Sequence, residues 1–362
     1  LDASFLEIED ENSHMHVAAT LLFEARSSAP HGGIDVDRIR SYIASRLHLI
    51  PRYRQRLAYV PVERHPVWVD DARFNIFYHV RHTALPRPGE ERQLKRLCGR
   101  ILSQKLDCTK PLWEIWVVEG LRDERFALVI KAHHSMVDGI AGMDLLTVLL
   151  SATSDPEFEP GPPWRPRPAP GPLELIAGEV RRRSGAALGL ARDALQAITH
   201  PRGALGATWE RVAGLLEILA GGSTPASVTP LNPRIGPHRR FDWLRFDLDD
   251  VKDVKSRLGG TVNDVVLAMV VGAVRRFLAG RGVQPDGLDF RAMIPVSVRA
   301  VGEEHQAGNR VAQMLARLPI GEADVRTRHR RVVEVTTSLK HSHQVLGSEL
   351  IEEVSDWTAT AV

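Results

Sequence analysis

The chain has 362 residues, of which 43% are hydrophobic and 25% charged, a composition typical of a globular protein of about two domains. Forty-seven Lys and Arg against 45 Asp and Glu leave a net charge of +2, so no overall field selects nucleic acid or an anionic surface. The two cysteines, Cys98 and Cys108, exclude a disulfide framework and a multi-cysteine zinc site.

The hydropathy pattern contains no run of the roughly 18 apolar residues that a membrane span needs. The most apolar stretch, residues 265–274, leads directly into Arg275. The acidic first residues, LDASFLEIEDEN, lack the basic start and apolar centre of a signal peptide. We therefore expect a cytoplasmic protein, with any membrane contact limited to its periphery.

The first 153 residues alternate between strand and helix periodicity, which predicts an α/β domain. Residues 126–132 (FALVIKA) are almost continuously apolar, as in the centre of a sheet. The predicted strands are 17–24, 66–69, 74–80, 113–118 and 126–132, and the predicted helices are 35–49, 90–106 and 139–150.

A change of composition follows this domain. Residues 154–172 hold eight prolines, and an Ala-, Leu- and Arg-rich stretch comes next, so residues 154–240 are predicted to form a Pro-rich and helical linker. A second α/β domain is predicted over 241–362. Its strands are expected at 241–248, 290–298 and 311–318, and its helices at 249–258, 265–279 and 323–340.

The sharpest motif is His133-His134-Ser135-Met136-Val137-Asp138-Gly139, placed where a buried strand ends and a helix begins. Successive strand residues point to opposite faces, so one imidazole faces the crevice and the other packs inward. An imidazole is the natural general base near neutral pH. Asp138 suits a bond to an arginine, and Gly139 allows close backbone approach.

Three other interpretations compete with a general base. A metal site of His134 and Asp138 lacks an HExxH-type helix. A Ser135 nucleophile lacks a GxSxG elbow. A purely structural histidine pair at a strand end stays open on these residues alone.

Several segments occur in a recognisable order around this motif. They are LDASFLEIED at the start, PLWEIWVVEGL at 111–121, HHSMVDG at 133–139, LNPRIGPHRRF at 231–241, TVNDVVLAMVVGAVRRFL at 261–278, MIPVSVR at 293–299 and GNRVAQMLARLP at 308–319. The set resembles the bacterial bifunctional wax ester synthase/diacylglycerol acyltransferase family, within the HHxxxDG superfamily of CoA-dependent acyltransferases and condensation domains. Members of that family are longer, so the second domain is expected to be incomplete here.

The resemblance implies a pseudo-dimer of two chloramphenicol-acetyltransferase-like α/β domains, with a helical linker and a tunnel at the interface. It assigns the general base to His134 and supporting roles to His133, Asp138 and Gly139. By analogy, Asp138 pairs with an arginine, and the candidates are Arg52, Arg54, Arg56 and Arg291.

Two further motifs are expected to bind substrate if the resemblance holds. Pro111, Leu112 and Trp113 match the family's PLW motif, as an acyl-channel wall or as core. Asn263 and Asp264 match its ND motif, as substrate-positioning residues or as a plain helix cap.

The resulting hypothesis is an acyl-CoA-dependent O-acyltransferase that makes triacylglycerol from diacylglycerol, wax esters from long-chain alcohols, or both. Acyl-CoA enters as a co-substrate, and no cofactor, metal or nucleic acid is expected. Contact with a membrane or lipid-droplet surface is a further expectation. The alternatives are a transferase that takes acyl groups from a carrier protein and a non-catalytic lipid-droplet protein.

Overall fold

The computed structural model describes residues 2–25, 34–62, 64–136, 148–151, 153, 157–182, 184, 225–297 and 311–340. Helices and strands are mixed along the chain, which confirms the α/β class. In the first half they are α1 (Asp2–Glu7), β1 (His16–Glu24), α2 (Val36–Arg46), β2 (Gln55–Tyr59), β3 (Pro66–Asp70), α3 (Ile76–His79), β4 (Val80–Ala84), α4 (Glu91–Leu102), β5 (Trp113–Leu121) and β6 (Arg125–His133). The second half adds α5 (Leu248–Leu258), α6 (Val262–Ala279), β7 (Arg291–Ser297), β8 (Val311–Arg317) and α7 (Val325–Lys340).

The main sheet has the strand order β1-β6-β5-β4. Strand β6 is antiparallel to both of its neighbours, and β4 is parallel to β5. Both faces of β6 are covered, since Leu128 and Ile130 belong to one core cluster and Ala127 and Val129 to another that includes side chains of α4. This double burial explains the nearly continuous apolar sequence of β6.

Helix α4 is stabilised at both ends. A capping box between Glu90 and Gln93 satisfies its first turn. At its C-terminus the fully buried ammonium of Lys131 donates to the carbonyls of residues 101 and 104, at 3.2 and 2.9 Å. His16 Nε2 lies 3.0 Å from the carbonyl oxygen of Leu102. Side chains of β6 and β1 therefore bind carbonyls in and just after the last turn of α4.

The predicted strand at 74–80 is wrong over most of its length. Asn75 accepts a hydrogen bond from the Phe77 backbone N–H at 2.9 Å and so starts the short helix α3. The strand begins only at Val80. Local side-chain capping outweighed the apolar composition of this segment.

The Pro-rich segment lies against the first half of the chain between Phe158 and Arg167. Trp164 Nε1 donates to the Asp71 carbonyl at 2.9 Å, and the Arg167 guanidinium bonds both oxygens of Asp70. Gly161 approaches Ser45 so closely that a Cβ would lie 2.6 Å from its carbonyl oxygen. This part of the predicted linker therefore packs on the predicted first domain. The domain boundaries themselves stay a prediction.

The second half packs α6 and α7 against the antiparallel pair β7–β8, around buried Val271, Leu278 and Val332. Thr261 caps α6, which therefore begins at Val262, earlier than predicted. The predicted strand 241–248 forms no β-ladder within the described ranges, and α5 already begins at Leu248.

The segment before α5 instead packs on α4. Phe241 and Trp243 join the core cluster that includes α4 side chains. Lys95 Nζ donates to the Trp243 carbonyl at 3.1 Å and pairs with Asp242 at 2.5 Å. The alternation of apolar and polar residues in this segment therefore arises because its apolar side chains pack on a helix, and not because it belongs to a sheet.

Among the described residues, no helix combines the length and the apolar character that crossing a bilayer requires.

Replacing Lys131 by Met should lower the free energy of unfolding by about 1–3 kcal/mol, because the buried carbonyls of residues 101 and 104 lose this donor, whereas Glu114 keeps Arg81 as a partner at 3.2 Å. Urea unfolding at pH 7 measures the change. Lys252→Met, in an exposed pair with Asp249, is the control and should stay within about 1 kcal/mol of the parent. Equal stability of Lys131→Met and the parent would contradict this assignment.

Candidate active site

His133 is the last residue of β6 and packs inward, with 1% of its surface exposed. Its backbone N–H donates to the Leu112 carbonyl at 2.9 Å, which joins the histidine motif to the PLW motif. The ring Nδ1 accepts the Ser135 backbone N–H at 3.1 Å and lies 2.7 Å from Ser135 Oγ. The imidazole therefore caps the 3-10 turn His134–Met136, as an Asn or Asp side chain caps a helix.

These bonds favour one tautomer of His133. A backbone N–H can only donate, so Nδ1 is the acceptor and the single proton of the neutral ring lies on Nε2. Burial lowers the pKa of His133 to about 4, so the ring is neutral at pH 7. A neutral, buried ring with an occupied Nδ1 is suited to holding the turn and not to exchanging protons.

His134 begins the turn and is half-buried. Its backbone N–H donates to the Met15 carbonyl at 2.8 Å. Its ring stacks on Phe5, with centroids 4.0 Å apart and planes 17° apart. Within the described part of the chain, Nδ1 of His134 has no hydrogen-bond partner. The ring is thus oriented by stacking and by its backbone, and its nitrogens are not bound to another described side chain.

The PLW motif lies in the core beside the histidines. Leu112 and Trp113 are 0% and 1% exposed. Trp113 Nε1 donates to the Tyr53 carbonyl at 2.8 Å, and its ring stacks on His79 at 4.5 Å. Pro111 precedes them and accepts the Trp113 backbone N–H at 2.9 Å. These contacts make Trp113 a packing residue, and its contribution to an acyl channel stays a prediction.

The ND motif lies at the start of α6. Asp264 is 3% exposed and forms a capping box with Thr261. Its other carboxylate oxygen accepts the Thr336 hydroxyl at 2.7 Å, which ties α6 to α7. Asn263 is exposed. The described contacts of Asp264 are therefore those of a helix cap, and substrate binding by this pair stays a prediction.

Asp138 and Gly139 lie outside the described residues. Three of the proposed arginine partners of Asp138 have stacking or ionic contacts elsewhere: Arg52 lies over Trp68, Arg54 over Trp164, and Arg291 pairs with Asp289. The fourth candidate, Arg56, donates to the Leu57 carbonyl at 3.2 Å.

No group of three or more His, Cys, Asp or Glu side chains that could hold a metal ion occurs in the ranges that the structure describes.

The sequence analysis did not identify several residues that lie close to the histidine motif. Phe5, Glu9 and Met15 come from the N-terminal segment, and Lys105 from the loop after α4. Glu9 Oε1 lies 3.9 Å from His133 Nε2. The signal was present in the opening LDASFLEIED, but only pairing of β1 with β6 shows that this segment reaches the histidines.

Solved structures share this fold. The wax ester synthase/diacylglycerol acyltransferase from Marinobacter aquaeolei VT8 matches with a TM-score of 0.63 and 26% identity, over 99% of this chain and 76% of that one. The first condensation domain of the calcium-dependent antibiotic synthetase matches with a TM-score of 0.55 and 14% identity, over 95% and 73%. The chloramphenicol-acetyltransferase-like fold class is therefore confirmed, whereas its arrangement as two such domains stays a prediction.

Sequence comparisons define the family. The model of the wax ester synthase/diacylglycerol acyltransferase catalytic domain matches residues 1–266. Two Mycobacterium tuberculosis proteins named as probable diacylglycerol O-acyltransferases are similar: tgs1 is 34% identical, over 95% of this chain and 71% of that protein, and tgs3 is 35% identical, over 71% and 94%. The chain belongs to the wax ester synthase/diacylglycerol acyltransferase family, and it is an acyltransferase.

The capping role of His133 can be tested with two variants of similar size. His133→Asn retains an acceptor near the position of Nδ1, whereas His133→Leu does not. We expect the Leu variant to lose up to roughly a hundredfold more acyl-transfer turnover, because a shift of about 1 Å in a reacting group has that effect. Turnover and melting temperature are measured for both variants. Equal turnover in two folded variants would show that the acceptor is unimportant.

Proposed function

We propose that the protein is an acyl-CoA-dependent O-acyltransferase in which His134 is the general base. The observation that carries the proposal is the difference in burial and hydrogen bonding between the two adjacent imidazoles. His133 is buried, neutral and bonded to Ser135, whereas His134 is half-buried and held by stacking and backbone contacts. Of the two, only the His134 ring has no described hydrogen bond. A general base needs such an unoccupied ring nitrogen to accept a proton.

In this mechanism His134 removes the proton of an acceptor hydroxyl while its oxygen attacks the thioester carbonyl carbon. The C–O bond forms, and the C–S bond breaks when the tetrahedral intermediate collapses. The proton on His134 passes to the departing thiolate and yields free CoA. No acyl-enzyme forms, which agrees with the position of Ser135, whose hydroxyl is bonded to His133 and is 2% exposed as a residue.

The names of the relatives support a choice of substrates. The mycobacterial proteins are named for diacylglycerol, and the Marinobacter enzyme for both wax esters and diacylglycerol. We therefore propose acyl-CoA as donor and diacylglycerol, a long-chain alcohol or both as acceptor.

Such acceptors reside in membranes and lipid droplets, so the protein should meet an apolar surface. Residues 172–182 are helical and expose Leu173, Ile176 and Val180, at 82%, 39% and 62%. The spacing of three and four residues places these side chains on one face. This exposed apolar face supports peripheral contact with a lipid surface.

The primary test measures CoA release from palmitoyl-CoA with diolein or hexadecanol as acceptor. We expect acceptor-dependent release that falls about 10²–10⁴-fold in His134→Ala, as is typical for loss of a general base. His238→Ala, at an exposed histidine outside the motif, is the matched control and should retain parental turnover.

The same assay separates the alternatives. Undiminished turnover of folded His134→Ala would contradict the proposed base. Transfer from an acyl-carrier protein, but not from palmitoyl-CoA, would favour a carrier-dependent enzyme. Droplet binding without turnover in the parent protein would favour a non-catalytic lipid-binding role.

A further inference from the structure

A buried carboxylate lies behind the histidine motif. The Glu9 side chain is 4% exposed, and its Oε1 lies 3.9 Å from Nε2 of His133. The same oxygen accepts the backbone N–H of Met15 at 3.2 Å, which places Glu9 in the segment that also binds the His134 backbone. A buried carboxylate is costly unless it is paired, so Glu9 needs a cationic partner.

Lys105 supplies the counter-charge. Its Nζ lies 2.8 Å from Glu9 Oε2, and its side chain is 45% exposed, so water solvates part of the ammonium. Pairing with Glu9 raises the pKa of Lys105. Because Lys105 occupies Oε2, Oε1 is the oxygen that faces His133. The loop after α4 thereby holds a fixed negative charge next to the ring.

The ring of His133 presents the complementary group. Nδ1 is occupied by Ser135, so the proton of the neutral ring lies on Nε2, which faces Glu9 and has no hydrogen-bond partner among the described residues. The opposite tautomer would place a lone pair toward the carboxylate and a proton against the Ser135 N–H. The Glu9 charge is weakly screened in a site this poorly exposed to water, so it favours the tautomer with the proton on Nε2.

We infer that Glu9, held by Lys105, is a positioning residue of the acyltransferase: it keeps His133 in the Nε2–H tautomer, and Nδ1 of that tautomer holds the turn that presents His134. The described contacts of Glu9 are with Met15, Lys105 and His133, so it acts through His133. Its effect on turnover rests on the proposed function of His134, whereas its effect on the tautomer does not.

The tautomer can be observed directly. Two-bond ¹H–¹⁵N spectra of ¹⁵N-histidine-labelled protein distinguish protonated from unprotonated ring nitrogens, and loss of a signal in His133→Asn assigns His133. We expect protonated Nε2 in the parent protein and a tautomer mixture in Glu9→Gln, which preserves shape and an acceptor oxygen but removes the charge. Glu11→Gln, at an exposed position on the same segment, should leave the spectrum unchanged. An unchanged His133 tautomer in Glu9→Gln would overturn the inference.

Kinetics test whether the effect passes through His133. We expect Glu9→Gln to lower kcat roughly tenfold through misplacement of the turn, with KM for both substrates within about twofold of the parent. His133→Asn has no Nε2, so adding Glu9→Gln to it should cost no further activity. A full tenfold loss in that background would show that Glu9 acts through the fold in general, and would overturn the positioning role.

Failure of the inference differs from failure of the proposed function. If His134→Ala retains turnover, the base assignment fails, while the spectra still report whether Glu9 selects the His133 tautomer. If His134→Ala is inactive but Glu9→Gln changes neither spectrum nor kcat, only the inference fails.

Discussion

The buried ammonium of Lys131 connects the elements that surround the histidine motif. Lys131 lies in the central strand β6, is fully buried, and binds two carbonyls at the C-terminus of α4 with Glu114 3.8 Å away. Burial lowers its pKa, but the helix carbonyls and the Glu114 carboxylate favour the charged form. These bonds join a strand of the sheet to the end of a helix, and so tie the residues that follow α4 to β6.

The residues that follow this helix end connect it to the histidines. Lys105 follows α4 and binds Glu9, and Glu9 faces His133, which lies two residues beyond Lys131 on the same face of β6. His16, directly opposite His133 in the sheet, also contacts the helix end through Leu102. One short helix terminus therefore positions polar groups from three segments that are distant in sequence, and the histidine motif lies at their meeting point.

The sequence analysis was strongest where a pattern is local. The periodicity of β5, β6, α4 and α7 predicted those elements, and the motif order predicted the family. It failed at 74–80 and 241–248, because Asn75 redirects the first segment and the second packs on a helix. Glu9, Lys105 and Phe5 carry no local signature of a role at the site. Their proximity to the motif arises from strand pairing and from α4, and these are tertiary facts. Lys131 was likewise hidden inside an apolar run, where a lone charge gives no sign of its partners.

The packing of Phe241 and Trp243 on α4 has a mechanical consequence. Trp243 is held by Lys95, and α5 begins only five residues later, at Leu248. Five residues span at most about 17 Å when fully extended. This short tether sets an upper limit on how far the start of α5 can move from the Trp243 docking point, however freely the rest of the second half moves. While Trp243 stays bound to Lys95, the first helix of the second half therefore remains within that distance of α4.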